Sequence, residues 1–278
     1  MARHLTGLDH AIIAVRDLEQ AAATFRRLGF TLTPKGVHAE WGTANYCIMF
    51  EGDYFELLAA EGPGGLAERV RDFTATREGL MAMAWGSSDA VADCARLGLE
   101  PPGALSRAIE GETARFIAGP LPEGTTPGMS SFLCQHLTPG VLRQPGWTDH
   151  DNGALGMASI TVLVAEPLEV MAGWDRMVGP AASTATDELV TVHTPHGLVF
   201  LCKPEDIEQL HPETETQTLP PPPAMMVLTL RVADTAAATR LLKGNGIAFD
   251  RDGSGNLHIP ADQACGVIVE MVGRVSEP

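Results

Sequence analysis

The chain opens with an apolar, β-branched run from Leu8 to Val15, broken only by Asp9 and His10. Arg16-Asp17-Leu18-Glu19 follows. Asp17 is placed to cap a helix, and Glu19 falls in the first turn, where the helix dipole favours an anion. Ala21, Ala22, Phe25 and Leu28 recur at helical spacing, and Gly29 ends the pattern. From Phe30 the periodicity shortens to alternating stretches divided by Pro34, Gly36, Gly42 and Gly52, which predicts strands at about 30–38, 43–50 and 53–60. The predicted order is β, α, β, β, β.

The same order returns near the C-terminus. Met226 to Val232 reads as a strand, Asp234 caps a helix through Leu242, and Gly244-Asn245-Gly246 ends it. A shift of 217 positions puts Val15 on Val232, Asp17 on Asp234 and Gly29 on Gly246. Strands follow at Gly246–Asp250, Leu257–Pro260 and Gly266–Val272. Two weaker copies lie between. One runs from Leu80-Met81-Ala82-Met83-Ala84, through a helix with Val91 and Leu97 that ends at Gly98, to Ser131–Leu137. The other opens with Met157–Val164, has a helix around Leu168–Met177 and closes with Leu198–Cys202.

A half-exposed sheet needs a partner, so the units pair. The expected class is α+β: four βαβββ modules paired into two bowls. The N-terminal domain spans 1–140 with modules 7–60 and 79–138, and the C-terminal domain spans 154–278 with modules 154–204 and 224–273. The break falls in Pro139–Gly153, rich in Pro, Gly, Asp and Asn, and Glu213–Pro223, which ends in four prolines, reads as an extended tether.

Composition narrows the picture. The 278 residues suit two cores better than one, and 45% hydrophobic with 19% charged residues describes a globular chain. A net charge of −16 repels phosphate backbones and argues against nucleic acid as a partner. No apolar run approaches the roughly 20 residues of a membrane span. The start leads into a periodic segment without a leader-like apolar region, and the five cysteines are scattered without CxxC spacing. The expectation is a cytoplasmic protein with reduced, buried thiols.

Leu8-Asp9-His10-Ala11-Ile12-Ile13-Ala14-Val15-Arg16-Asp17-Leu18 resembles the opening of a glyoxalase-like domain of the vicinal oxygen chelate superfamily. Gly42-Thr43-Ala44-Asn45, Tyr54-Phe55-Glu56-Leu57-Leu58 and Phe132-Leu133-Cys134-Gln135-His136-Leu137-Thr138-Pro139 carry the resemblance further. It is strong over residues 7–60 and supported over 130–160. It implies glyoxalase-like bowls with metal ligands on the first and fourth strands of a module, facing inward. His10 holds the first-strand position and Glu56 the fourth. Imidazole nitrogen and carboxylate oxygen suit a divalent zinc, iron(II), manganese or nickel ion. A third ligand must come from the second module, whose first strand (Leu80, Met81, Ala82, Met83) offers none suited to a hard ion. In its last strand Gln135 and His136 point opposite ways. His136 is the expected third ligand, and Gln135 the alternative or a substrate contact.

Each residue also has a plainer reading. His10 is alternatively a satisfied core histidine, and Glu56 a salt-bridged or outward-facing carboxylate. His38 is a pocket acid–base group or an exposed turn residue, and Asn45 a substrate contact or a turn cap. His136 alternatively hydrogen-bonds the linker backbone. Trp41, Tyr46, Tyr54 and Phe132 are pocket walls or core. His193 and His196 flank Pro195 as in a hairpin turn, and His4, His150, His211 and His258 read as surface or loop residues. In the C-terminal half, Ser159 and Val227 stand where His10 would match, and only Glu270 matches Glu56. That half is expected to be structural, a lid or a dimer surface, which leaves a homodimer open. By resemblance this counts against an extradiol dioxygenase, which would hold its iron there.

The expected function is a metal-dependent lyase or isomerase acting on a small organic substrate. The ion at His10, Glu56 and His136 would stabilise an enolate or alkoxide, and Glu56 or His38 would move the proton. The alternative is a metal-free small-molecule binding or resistance protein of the same fold.

Overall fold

The computed structural model describes residues 3–214 and 217–273. The expected βαβββ order appears four times. The first unit is β1 (Leu5–Ala14), α1 (Leu18–Arg27), β2 (Gly36–His38), β3 (Thr43–Met49) and β4 (Tyr54–Ala60). A connecting helix, α2 (Gly65–Thr76), leads to β5 (Gly79–Ser87), α3 (Ala90–Leu97), β6 (Gly103–Ile109), β7 (Glu112–Leu121) and β8 (Ser131–His136). After the short α4 (Pro139–Leu142) come β9 (Ala154–Leu163), α5 (Pro167–Met177), β10 (Ser183–Thr186), β11 (Leu189–His193) and β12 (Leu198–Cys202). The short α6 (Ile207–Leu210) precedes β13 (Ala224–Val232), α7 (Thr235–Gly244), β14 (Asp250–Arg251), β15 (Leu257–Ile259) and β16 (Ile268–Gly273).

Local chemistry repeats with the topology. Asp17, Asp89 and Asp234 cap α1, α3 and α7 by accepting from Gln20 N, Ala92 N and Ala236 N. Gly29, Gly98 and Gly246 follow those helices with φ of 88°, 71° and 67°, the left-handed conformation that stops a helix. In the third unit Pro167 opens α5 without a side-chain cap.

The first two units close into a barrel of order β1-β4-β3-β2-β6-β7-β8-β5. β1 lies parallel to β4 and antiparallel to β5, and β5 parallel to β8. β1 is buried along almost its whole length. On the outer face of its neighbour β4, Phe25 of α1 sits 5.5 Å from Phe55, which meets Phe30 edge-on. The inner face is left for the barrel interior. Closure rests on one residue pair, Val37 of β2 with Ala108 of β6.

The last two units form an eight-stranded sheet joined at β9 and β13 that stays open, with β10 and β14 as edges. Its bowl is filled by side chains. His211, just after α6, reaches in so that its Nδ1 lies 2.6 Å from Glu270 Oε1 and its Nε2 2.7 Å from Thr161 Oγ1. Thr229 Oγ1 donates to Glu270 Oε2 at 2.9 Å, and His258 Nδ1 stands 2.9 Å from Oε1. Only a crevice of about 10 Å³ borders this cluster, at the lower limit for one water. Of the expectation that His211 and His258 are surface or loop residues, only the loop position of His211 holds: they are 3% and 7% exposed and His258 lies on β15, because the Glu270 carboxylate needs partners once buried. His150 is likewise no free loop residue. It accepts from Thr31 N and meets Met49 O through Nε2. Part of the segment read as a tether, residues 215–216, lies outside the described residues, as do 274–278. His193 and His196 flank the β11–β12 turn as expected.

One apolar cluster runs through both sheets. Trp85 of β5 meets Trp174 of α5 edge-on at 5.7 Å, both fully buried. Leu8 N donates to His196 O at 2.9 Å, Met157 N to Asp53 Oδ1 at 3.0 Å, and Asn152 Nδ2 to Leu28 O at 2.9 Å. All five cysteines are free thiols, with Cys265 alone partly exposed. No helix among the described residues is long and apolar enough to cross a membrane.

Two predictions follow from this packing. Trp174→Ala should cost about 3–5 kcal/mol in urea unfolding followed by circular dichroism, with both halves melting in one transition. Burial alone would raise the Glu270 carboxyl, but the His211 hydrogen bond and the nearby His258 outweigh it and hold it at about 2, below its ordinary 4.5. A depressed carboxyl stabilises the fold above its unfolded value, and that contribution is lost as pH falls through the folded one. Between pH 4.5 and 2 the protein should therefore lose on the order of 3 kcal/mol from this residue, and Glu270→Gln should flatten that limb of an acid titration of stability.

Candidate functional site

The barrel encloses a cavity of about 560 Å³. The parallel register sets His10 opposite Tyr54 and Ile12 opposite Glu56. With a side-chain period of two, these four residues share the inner face, while Ala11, Ile13, Phe55 and Leu57 face α1. His10 and Glu56 thus border the same cavity from adjacent strands.

Asp9 breaks that alternation. Leu8 and His10 pair with the consecutive residues Trp85 and Ala84 of β5, so Asp9 is the extra residue of a bulge. The bulge turns Asp9 inward beside His10. Its Oδ1 accepts from His10 Nδ1 at 2.6 Å and from His136 Nε2 at 3.0 Å. Burial would raise the Asp9 carboxyl, but these two imidazoles outweigh it and hold it well below the usual carboxylate range. An ionised carboxylate only accepts, so both imidazoles must donate to it. The contact therefore fixes the tautomers and leaves His10 Nε2 and His136 Nδ1 as lone-pair donors. Stacking on Tyr54 at 4.3 Å and an edge contact with Phe132 at 5.5 Å hold the His10 ring. Phe116 packs edge-on against His136 at 5.1 Å.

Asp9, His10, Cys134 and His136 can each direct one ligand atom so that all four lie within 4.8 Å of one another. Oxygen, nitrogen and sulfur donors in such a group suit a borderline divalent ion. Glu56 is not in this compact set. Its Oε1 accepts from Asn45 Nδ2 at 2.6 Å, and its other oxygen has no hydrogen-bond donor among the described residues. Asn45 is itself accommodated by Gly36, where a Cβ would stand 2.2 Å from its Oδ1. Asn45 therefore lies behind Glu56 rather than on the cavity wall.

His38 and Trp41 border the cavity, their rings 5.4 Å apart. His38 Nδ1 meets Thr43 Oγ1 at 3.0 Å. Burial lowers the His38 imidazole, and Arg107 adds to this against an opposing pull from Glu56, which favours the neutral base. Burial and the nearby Asp9 raise the Tyr54 phenol well above its ordinary value, so it stays protonated. His136 is joined to His10 through Asp9. Gln135 faces away: its Oε1 accepts from Ala90 N and its Nε2 donates to Ser88 O, each at 3.0 Å, which secures the start of α3.

Three residues escaped the sequence reading. Asp9 belongs to the opposite face in a regular strand, and only the bulge turns it in. Its signal was a carboxylate inside an apolar run. Cys134 shares the inner face of β8 with Phe132 and His136, a parity that was available from the pattern. Arg107 lies on β6, an otherwise exposed strand, where Leu105, Arg107 and Ile109 alternate inward.

The sequence profile of the glyoxalase-like domain family matches residues 8–178. Comparison with curated protein sequences finds no match. Among solved structures, a hypothetical protein from Staphylococcus aureus is similar with a TM-score of 0.69 at 11% identity, covering 96% of this chain and 98% of the other. A mutant of 4-hydroxymandelate synthase from Streptomyces coelicolor gives 0.63 at 13%, covering 99% and 94%. A xylose isomerase-like TIM barrel/4-hydroxyphenylpyruvate dioxygenase fusion protein gives 0.58 at 14%, covering 100% of this chain and 50% of that one. The likeness to these three structures is one of fold. With more than half its length matched by the profile, the chain belongs to the glyoxalase-like domain family.

Proposed function

We propose that this chain is a metal-dependent enzyme, of lyase or isomerase type, that acts on a small organic substrate inside the barrel. The observation that carries this reading is the Asp9 clamp. A carboxylate holding one nitrogen of an imidazole while the other stays free is the usual support of a metal-binding histidine. In this reading His10, Glu56 and His136 hold the ion, and Asp9 orients both rings. When bound, the ion supplies a Lewis acid for oxygen charge that develops on the substrate.

The remaining work falls to the chain's own side chains. His38, neutral and with Nδ1 engaged by Thr43, presents Nε2 to take up or return a proton. Tyr54, kept protonated, stiffens the His10 ring by stacking. Trp41, Phe116 and Phe132 form an apolar wall that excludes water and strengthens every polar contact inside. One observation favours the metal-free binding reading instead: the two imidazoles already satisfy the buried Asp9 carboxylate, which needs no ion as a partner.

Elemental analysis of untagged protein separates the two. The enzyme reading expects one divalent ion per chain, lost in His10→Ala and in Glu56→Ala, and bound about 10–100-fold more weakly in Asp9→Asn. Its reproducible absence after reconstitution, or normal ion content in His10→Ala, supports the metal-free reading. His38→Gln should keep the ion but lower turnover roughly 10²–10⁴-fold, measured as kcat once a substrate is in hand.

A further inference from the structure

Arg107 is 5% exposed and borders the barrel cavity from β6. Its Nη1 meets Cys47 Sγ at 3.1 Å. Burial pushes that thiol up to about 11, so Cys47 is neutral and supplies no countercharge. Among the described residues, the Nε and Nη2 atoms of Arg107 are buried without any hydrogen-bond partner. They form one edge of the guanidinium, whose parallel N–H groups match the two oxygens of a carboxylate. Buried donors are almost always paired, and an unpaired buried cation is costly, so a guanidinium left in this state is short of an acceptor.

The cavity wall points the same way. Arg107 and Arg69 border it against Glu56 as the single carboxylate, in a chain whose net charge is −16. Arg69 reaches Ser130 Oγ at 3.3 Å. Most of the remaining wall is apolar, with Trp41, Leu66, Phe116 and Phe132 among it. A small molecule that satisfies both features carries an anionic end and an apolar body.

We infer that Arg107 is the anchor for a carboxylate of the substrate, and that the barrel cavity selects small apolar organic acids. The inference rests on the cavity being the substrate site proposed above, but not on the ion.

Titration calorimetry with 3-phenylpropanoate and its uncharged isostere 3-phenylpropanamide tests it, on the full chain as purified and again after EDTA treatment. The wild-type protein should bind the acid at least about tenfold more tightly than the amide. Arg107→Met should bring the two within about twofold of each other, and Arg107→Lys should keep part of the preference. Without ligand, Arg107→Met should melt no lower than wild type, since removing an unpaired buried cation relieves a cost. Equal binding of acid and amide by the wild type, binding of neither, a preference that survives in Arg107→Met, or loss of folding in that variant would each overturn the assignment. An Arg107-dependent preference in protein that never binds an ion removes the metal reading alone, while an ion-loaded protein indifferent to the carboxylate removes this one alone.

Discussion

Burying a carboxylate in an apolar strand costs several kcal/mol unless donors meet it. Asp9 meets that demand with two imidazoles from strands far apart in sequence, His10 beside it and His136 on β8. The bulge that brings it inward also shifts the register of β1 against β5. The same carboxylate therefore joins the two modules of the barrel at its core, fixes which nitrogen of each ring carries a proton, and sets the orientation of His10 toward the cavity. Tyr54 stacks on the ring Asp9 orients, and Phe116 packs on the other.

The two halves show what one topology does with a buried acid on its fourth strand. In the barrel, Glu56 keeps one oxygen clear of protein donors and faces an open space. In the second sheet, Glu270 has both oxygens taken by His211 and Thr229, with His258 alongside. A loop histidine has occupied the space where a ligand would sit. The difference is one of filling rather than of fold: the N-terminal barrel keeps a cavity of about 560 Å³, while a crevice of about 10 Å³ borders the Glu270 cluster.

Much of the architecture was legible in the sequence because the signals were local and repeated. Asp17 with Gly29 and Asp234 with Gly246 mark the same cap and stop in two units, and each does that work in the structure. The shared face of His10 and Glu56 was implied by the family resemblance, and the β1–β4 register agrees with it. What stayed hidden depends on contacts distant in sequence or on departures from regularity. Asp9 needs a bulge, and Arg107 needs a barrel closed around a strand that is exposed at four of its seven positions. His211 and His258 become buried only because Glu270 is. α2 was missed because Gly62-Pro63-Gly64-Gly65 reads as loop, and β2 is shorter than its alternating pattern suggested.

The meeting of β2 and β6 through Val37 and Ala108 is the narrowest join in the barrel. His38 follows Val37 on one side, and Arg107 precedes Ala108 on the other. By contrast, His10 and Glu56 stand on a parallel ladder running from His10 to Ala14. The barrel thus sets its least-paired join, between His38 and Arg107, on the wall opposite the His10–Ala14 ladder, so a change of residues at that join leaves the imidazole–carboxylate frame untouched.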